Sequence, residues 1–174
     1  MPSVEELGFA LPVATREVEE FVAAAGWDQP TQIFALVATE TMLAAAPDMA
    51  DQLDPEASPL TPLAQESLPS DDLGEALARI EWPEQVIGCA LVQEIVVLPP
   101  EAEAALPEDA EGARKLAAEH PDRREARLVG AVLRGGAAHS CVMRLRGQEG
   151  QDDEIFNDPS LAPNLIKALQ ATFA

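Results

Sequence analysis

WPEQVIGCALVQEIVVLP, Trp82 to Pro99, is the stretch from which the fold is read. Its middle is apolar on both alternating faces: Ile87, Cys89, Leu91, Ile95 and Val97 on one, Val86, Gly88, Ala90, Val92, Val96 and Leu98 on the other. An amphipathic helix would show a polar face and an edge strand would alternate, so a β-rich run closed by prolines predicts a strand covered on both sides. Gln93 and Glu94 interrupt it. With a carboxylate at its centre, a run this short does not read as a membrane span.

Working outward, Leu73, Ala76, Leu77 and Ile80 recur at helical spacing just before this strand, with Ser70, Asp71 and Asp72 supplying a cap and first-turn carboxylates. On the far side, EARLVGAVLR and AAHSCVMRLR flank Gly135-Gly136. A two-residue Gly-Gly loop predicts a hairpin because both positions tolerate positive φ. It also fixes the register, placing Arg127 opposite Arg144, Gly130 opposite Cys141 and Val132 opposite His139. The face carrying Ala126, Leu128, Gly130 and Val132 is expected to be core, and the opposite face mixed and cationic.

Towards the N-terminus, a loose start to Pro12 precedes a helix over 15–25 with Val18, Phe21, Val22 and Ala25 as its apolar stripe, Thr15 as cap and Gly26 as stop. TQIFALVA (31–38) reads as a strand, and MLAAAPDMADQL as two helical pieces meeting at Pro47. The segment WDQPTQIFALV (27–37) echoes WPEQVIGCALV (82–92) at a constant offset, each tryptophan being placed to plug a helix–strand corner. Residues 54–70 are a proline-rich connector with one helical turn near Thr61-Pro62. Residues 99–124, rich in Ala, Glu and Pro, are expected to be mobile, with short helices after Pro100 and around Ala113–Glu119. A last helix starts near Pro163, with Leu161, Leu165, Ile166, Leu169 and Phe173 on its apolar side.

The fold class is therefore α+β: a mainly antiparallel sheet of about four strands (31–38, 86–98, 125–134 and 137–146), packed with amphipathic helices, in a single domain spanning 1–174. The first, third and last helices are expected to cover the sheet. A chain of this length buries roughly 70% of its unfolded surface without staples. Cys89 and Cys141 fall inside apolar runs, which suits reduced core thiols and a cytoplasmic location. No signal peptide is read in the acidic N-terminal residues.

The net charge of −20 is unevenly placed: residues 1–110 hold 22 of the 31 acidic side chains and 2 of the 11 basic ones. Such a field repels phosphates and excludes nucleic acid and anionic membrane as partners of that part. A cationic protein partner or a solvated acidic surface is consistent with it.

Two constellations bear on chemistry. Arg127, Arg144 and Arg146, with Arg123 and Arg124 upstream, crowd one end of the hairpin. Like charges facing each other across strands repel, so an anion is expected between them: a small carboxylate or phosphate ligand, a partner's acidic patch, or carboxylates of this same chain. His139, Cys141 and Cys89 form the second set, a weak candidate for metal or thiol chemistry because no orienting third group accompanies them. Asp152, Asp153, Glu154, Asn157 and Asp158 lack the glycine and spacing of a calcium loop and read as solvated. No phosphate-cradling glycine loop or nucleophile elbow is present, so no cofactor is assigned.

WDQP with FALV, LTPLAQE, EWPEQVIGCALV, HPDRREARLV and VLRGGAAHSCVMRLR together resemble an uncharacterised family of small acidic actinobacterial proteins. The resemblance implies a single cytoplasmic unit and carries no activity, cofactor or catalytic residue. The function is unknown at this point, and two classes stand. One is a non-enzymatic binding or adaptor protein, chaperone-like in size and acidity only, which a homodimer would also suit. The other is an enzyme or small-molecule binder that holds an anionic ligand on the arginine cluster. An exposed apolar groove would favour the first; a closed polar pocket containing Arg144 or His139, the second.

Overall fold

The computed structural model describes residues 7–65, 73–136, 138–148 and 150–173. Six strands form one antiparallel sheet: β1 (Gln32–Ala38), β2 (Leu60–Ala64), β3 (Val86–Val97), β4 (Arg124–Leu133), β5 (His139–Leu145) and β6 (Glu154–Asn157), in the order β2-β1-β3-β4-β5-β6. The helices are α1 (Leu11–Ala23), α2 (Thr39–Ala45), α3 (Leu73–Ala78), α4 (Pro100–Ala104), α5 (Ala110–Glu119) and α6 (Pro163–Ala171). Among the described residues no helix is long and apolar enough to cross a membrane.

β3 sits third in the sheet and is covered on both faces, as its two apolar sides require. On one face α1 lays Leu11, Ala14, Val18 and Val22 over Phe34, Leu36, Ala90, Val92, Val129, Ala131 and Leu133. On the other, Leu77 of α3 and Ile166 and Leu169 of α6 cover Ile33, Cys89, Leu91, Val132 and Cys141. The alternation fails at one place. The β1–β3 register shifts between Leu36 and Val37, so Ile87 joins the α1 side and Val86 the opposite one. One extra residue in a bulged strand reverses the side-chain parity beyond it.

The hairpin register is the one the Gly-Gly loop dictates, with Arg127 opposite Arg144, Gly130 opposite Cys141 and Val132 opposite His139. Gly135 and Gly136 adopt φ of 79° and 74°. The face expected to be mixed and cationic is core as well: Val129, Ala131 and Leu133 are fully buried under α1. Gly130 on the other face admits α6, since a Cβ there would lie 2.9 Å from Leu165 Cδ2.

Two strands exceed the four expected, and both are edges. β2 pairs only with β1 and replaces the helical turn expected at Thr61-Pro62. Pro62 is tolerated there because an edge strand leaves alternate N–H positions unpaired. β6 is four exposed residues pairing only with β5.

α1 begins at Leu11, earlier than expected. Leu7 and Leu11 extend the buried stripe backwards, and Thr15 is no cap but donates its hydroxyl to the Leu11 carbonyl at 2.7 Å. The stripe is also rotated: Thr15 and Glu19 are buried, whereas Phe21 is exposed. Gly26, at φ 90°, closes the helix C-terminus as expected. Thr39 opens α2, and a 3-10 turn over Pro47–Met49 follows it. The cap expected at Ser70–Asp72 lies outside the described residues. The tryptophans occupy different settings. Trp82 stacks on Phe173 at 5.9 Å and donates Nε1–H to Thr172 Oγ1 at 2.9 Å, seating α6, while Trp27 lies among arginines at the other end of the sheet.

Candidate functional site

The opposed arginines of β4 and β5 are drawn together by a carboxylate from α1. Glu19 and Arg127 are each 1% exposed. Glu19 accepts from Arg144 Nε at 2.9 Å, from Arg144 Nη2 at 2.6 Å and from Arg127 Nη1 at 3.3 Å. Arg144 also reaches Asp153 at 3.6 Å. The hydrogen bonds from Arg144 to Glu19 hold its pKa above the usual value, so it stays charged throughout.

Arg127 links this pair to the Trp27 turn. Its Nη2 donates to the Gly26 carbonyl and lies 3.6 Å from Glu94, while its guanidinium stacks 4.6 Å from the Trp27 ring centroid. Glu94, the interruption of β3, accepts the backbone N–H of Asp28 at 3.0 Å and of Gln29 at 2.9 Å. Asp28 is held there at φ 65°, a left-handed conformation that Asp tolerates better than most side chains. Burying these charges costs several kcal/mol each in desolvation, and hydrogen bonds of good geometry offset it. Arg127 Nε nevertheless has no hydrogen-bond partner among the described residues. The arrangement ties α1, the Trp27 turn, β3, β4 and β5 into one ionic cluster.

Arg146 stands apart from this interior. It pairs with Glu125, and its guanidinium lies 5.3 Å from the Trp27 ring centroid, at the rim of a surface cleft. The second constellation is not assembled. His139 is exposed at the hairpin end, and Cys141 on β5 and Cys89 on β3 are separated by β4. Among the described residues no three His, Cys, Asp or Glu side chains gather in a way that could hold a metal ion. In the acidic loop, Asp153 accepts the Gly147 N–H at 2.7 Å and Asp158 accepts from Ser160.

Both thiols are free and buried. Burial raises the Cys141 pKa and pushes that of Cys89 up to about 12, against an ordinary 9.0, with a weak opposing contribution from Thr172. A folded-state pKa above the unfolded one means that the native protein keeps a proton the unfolded chain releases. Stability is then whole below pH 9.0 and declines towards about 12. Urea titrations at pH 8 and pH 10 should show the lower midpoint at pH 10. A thiol reagent at pH 8 should label neither cysteine until the protein is unfolded.

Sequence reasoning expected an anion between the arginines but named no particular carboxylate. Glu19 lies one step from the α1 stripe, and only the packing of α1 across β4 and β5 selects it. An apolar feature was also missed. Phe9, in a 3-10 turn over Gly8–Ala10, and Val13 and Phe21 of α1 are 75%, 51% and 66% exposed. Phe21 meets Phe34 edge to face at 6.1 Å, and the two form, with Val18, Pro62, Ala64 and Glu17, a groove of about 240 Å³ between α1 and the sheet edge.

Residues 11–174 match the family described as PPA1309-like protein. The chain belongs to this family. Membership agrees with the expected resemblance to an uncharacterised family, and it brings no reaction or cofactor with it. No curated protein and no solved structure matches the chain.

Proposed function

We propose that this member of the family is a non-enzymatic cytoplasmic binding protein that holds a cationic segment of a partner protein along the outer side of α1, with one apolar partner residue in the Phe21–Phe34–Pro62 groove. The observation that carries this reading is the exposure of Val13 and Phe21 on α1, whose other side is core, and of Phe9 in the 3-10 turn that leads into it. Exposed large apolar side chains beside a groove are a usual mark of a docking site, and of these three Phe21 lines the groove. The groove, about 240 Å³, suits a side chain better than a cofactor.

Charge selects the occupant. Glu17 lines the groove, Glu20 is exposed on the same helix, and the chain carries −20 overall. Nucleic acid, anionic membrane and a second copy of the chain would all be repelled, whereas Lys or Arg beside an apolar anchor would be attracted. Arg127 and Arg144, which a catalytic reading would use, are engaged by Glu19. The cytoplasmic location rests on the two free buried thiols.

Short fluorescent peptides with a central Leu or Phe, flanked by Lys/Arg, by Ser or by Glu, provide the test. The cationic set should bind, with affinity falling as salt rises. Phe21→Ser should weaken that binding about tenfold at unchanged Tm, as loss of an exposed apolar anchor does. Equal binding of neutral and cationic sets, indifference to Phe21→Ser, or self-association through α1 in sedimentation would overturn the reading.

A further inference from the structure

We propose that the cleft at the start of β4 and the end of β5, formed by Arg123, Arg124 and Arg146, binds a small phosphate-bearing anion. The cleft has a volume of about 300 Å³, and Pro121, Glu125 and Gln148 complete much of its wall. It shares no lining residue with the Phe21 groove and is independent of the binding function proposed there.

Three observations converge. First, Arg124 Nε is buried and has no hydrogen-bond partner, while its Nη2 donates to the Arg146 carbonyl at 3.1 Å. Buried donors are seldom left unmade, because a lost partner costs the full desolvation of the group. Second, ion pairs among the described residues engage Arg79, Arg127, Arg144 and Arg146, but not Arg123 or Arg124. Among the described residues the Arg123 side chain donates to the His120 carbonyl, at 2.9 Å. In a chain with a net charge of −20, two consecutive arginines outside every ion pair among the described residues run against the prevailing charge. Third, Arg146 is oriented before any ligand arrives, by Glu125 on one side and the Trp27 ring on the other.

The charged lining side chains are three arginines and one glutamate, with the Asp28 and Glu94 carboxylates acting on Arg146 from the Trp27 side, so the excess positive charge sits on Arg123 and Arg124. Two such guanidinia match a phosphate monoester, with its roughly −1.5 to −2 charge, better than a monocarboxylate, and guanidinium forks fit its oxygens in pairs. A polynucleotide is excluded by the rest of the surface, so the ligand is either free phosphate or a phosphorylated small molecule.

Nitrogen-detected NMR of the arginine Nε–H groups tests the site, using the full chain at constant ionic strength with inorganic phosphate, phenyl phosphate, acetate and chloride as probes. Phosphate should produce a saturable shift at Arg124 that acetate and chloride do not reproduce. If phenyl phosphate binds more tightly, the ligand is a phosphate ester; if it binds more weakly, free phosphate is. Arg123→Gln, an exposed change, should weaken binding at least about fivefold at unchanged Tm, since it removes one of the charge-assisted contacts. The proposal fails if the shift is absent or not saturable, if chloride reproduces it, or if Arg123→Gln binds as tightly as the parent.

Discussion

Glu19→Ala should lower stability by about 3–5 kcal/mol, the cost of removing one partner from a buried charge cluster. For a chain of this size that corresponds to a fall in Tm of roughly 6–20 °C. The loss comes less from the bond removed than from what stays behind: Arg127, 1% exposed, would keep its charge and lose its nearest carboxylate, while Arg144 would retain Asp153. Urea unfolding followed by tryptophan fluorescence measures it, Trp27 being in contact with the same guanidinium. Arg79→Ala is the control, because its pair with Glu75 is exposed and should change stability by less than about 1 kcal/mol. Equal effects of the two substitutions would mean that the Glu19 cluster is solvated in solution.

Leu91→Ala should cost about 2–5 kcal/mol through lost burial and the cavity left behind. Leu91 is 0% exposed in β3, pairs with Ile33 on one neighbour and Gly130 on the other, and lies under α6. Gly130 cannot fill the vacated space, since it has no side chain, and α6 is already in close contact with it. Phe21→Ala removes a larger side chain from an exposed position and should change stability by less than about 1 kcal/mol. Denaturant midpoints at equal m-value decide the comparison.

The parts of the fold that depend on local chemistry were legible. Two glycines at positive φ fix a hairpin register whatever surrounds them, so the opposition of Arg127 and Arg144 follows from sequence. Apolar residues on both sides of Val86–Leu98 require two covers, and α1 supplies one while α3 and α6 supply the other. The edge strands were not legible. β6 is wholly exposed and β2 contains a proline, so neither shows the alternation that marks a strand. Each exists because β5 or β1 offers unpaired backbone groups, a property of the neighbour and not of the segment itself. The bulge at Ile87 is hidden for a similar reason: a change of pairing partner leaves no mark in composition.

The site divides along the same line. Sequence alone determined the central strand, the hairpin and its register, the uneven charge, and the need for an anion near Arg127 and Arg144, because periodicity, glycine and charge act over a few residues. Tertiary structure decided that Glu19 is that anion, that Glu94 holds the Trp27 turn, and that no ion pair among the described residues engages Arg123 or Arg124. It also decided that Phe21 faces solvent, by setting the angle at which α1 rolls onto the sheet. Each of these depends on which helix face meets which strand, and that is settled by packing the whole core at once.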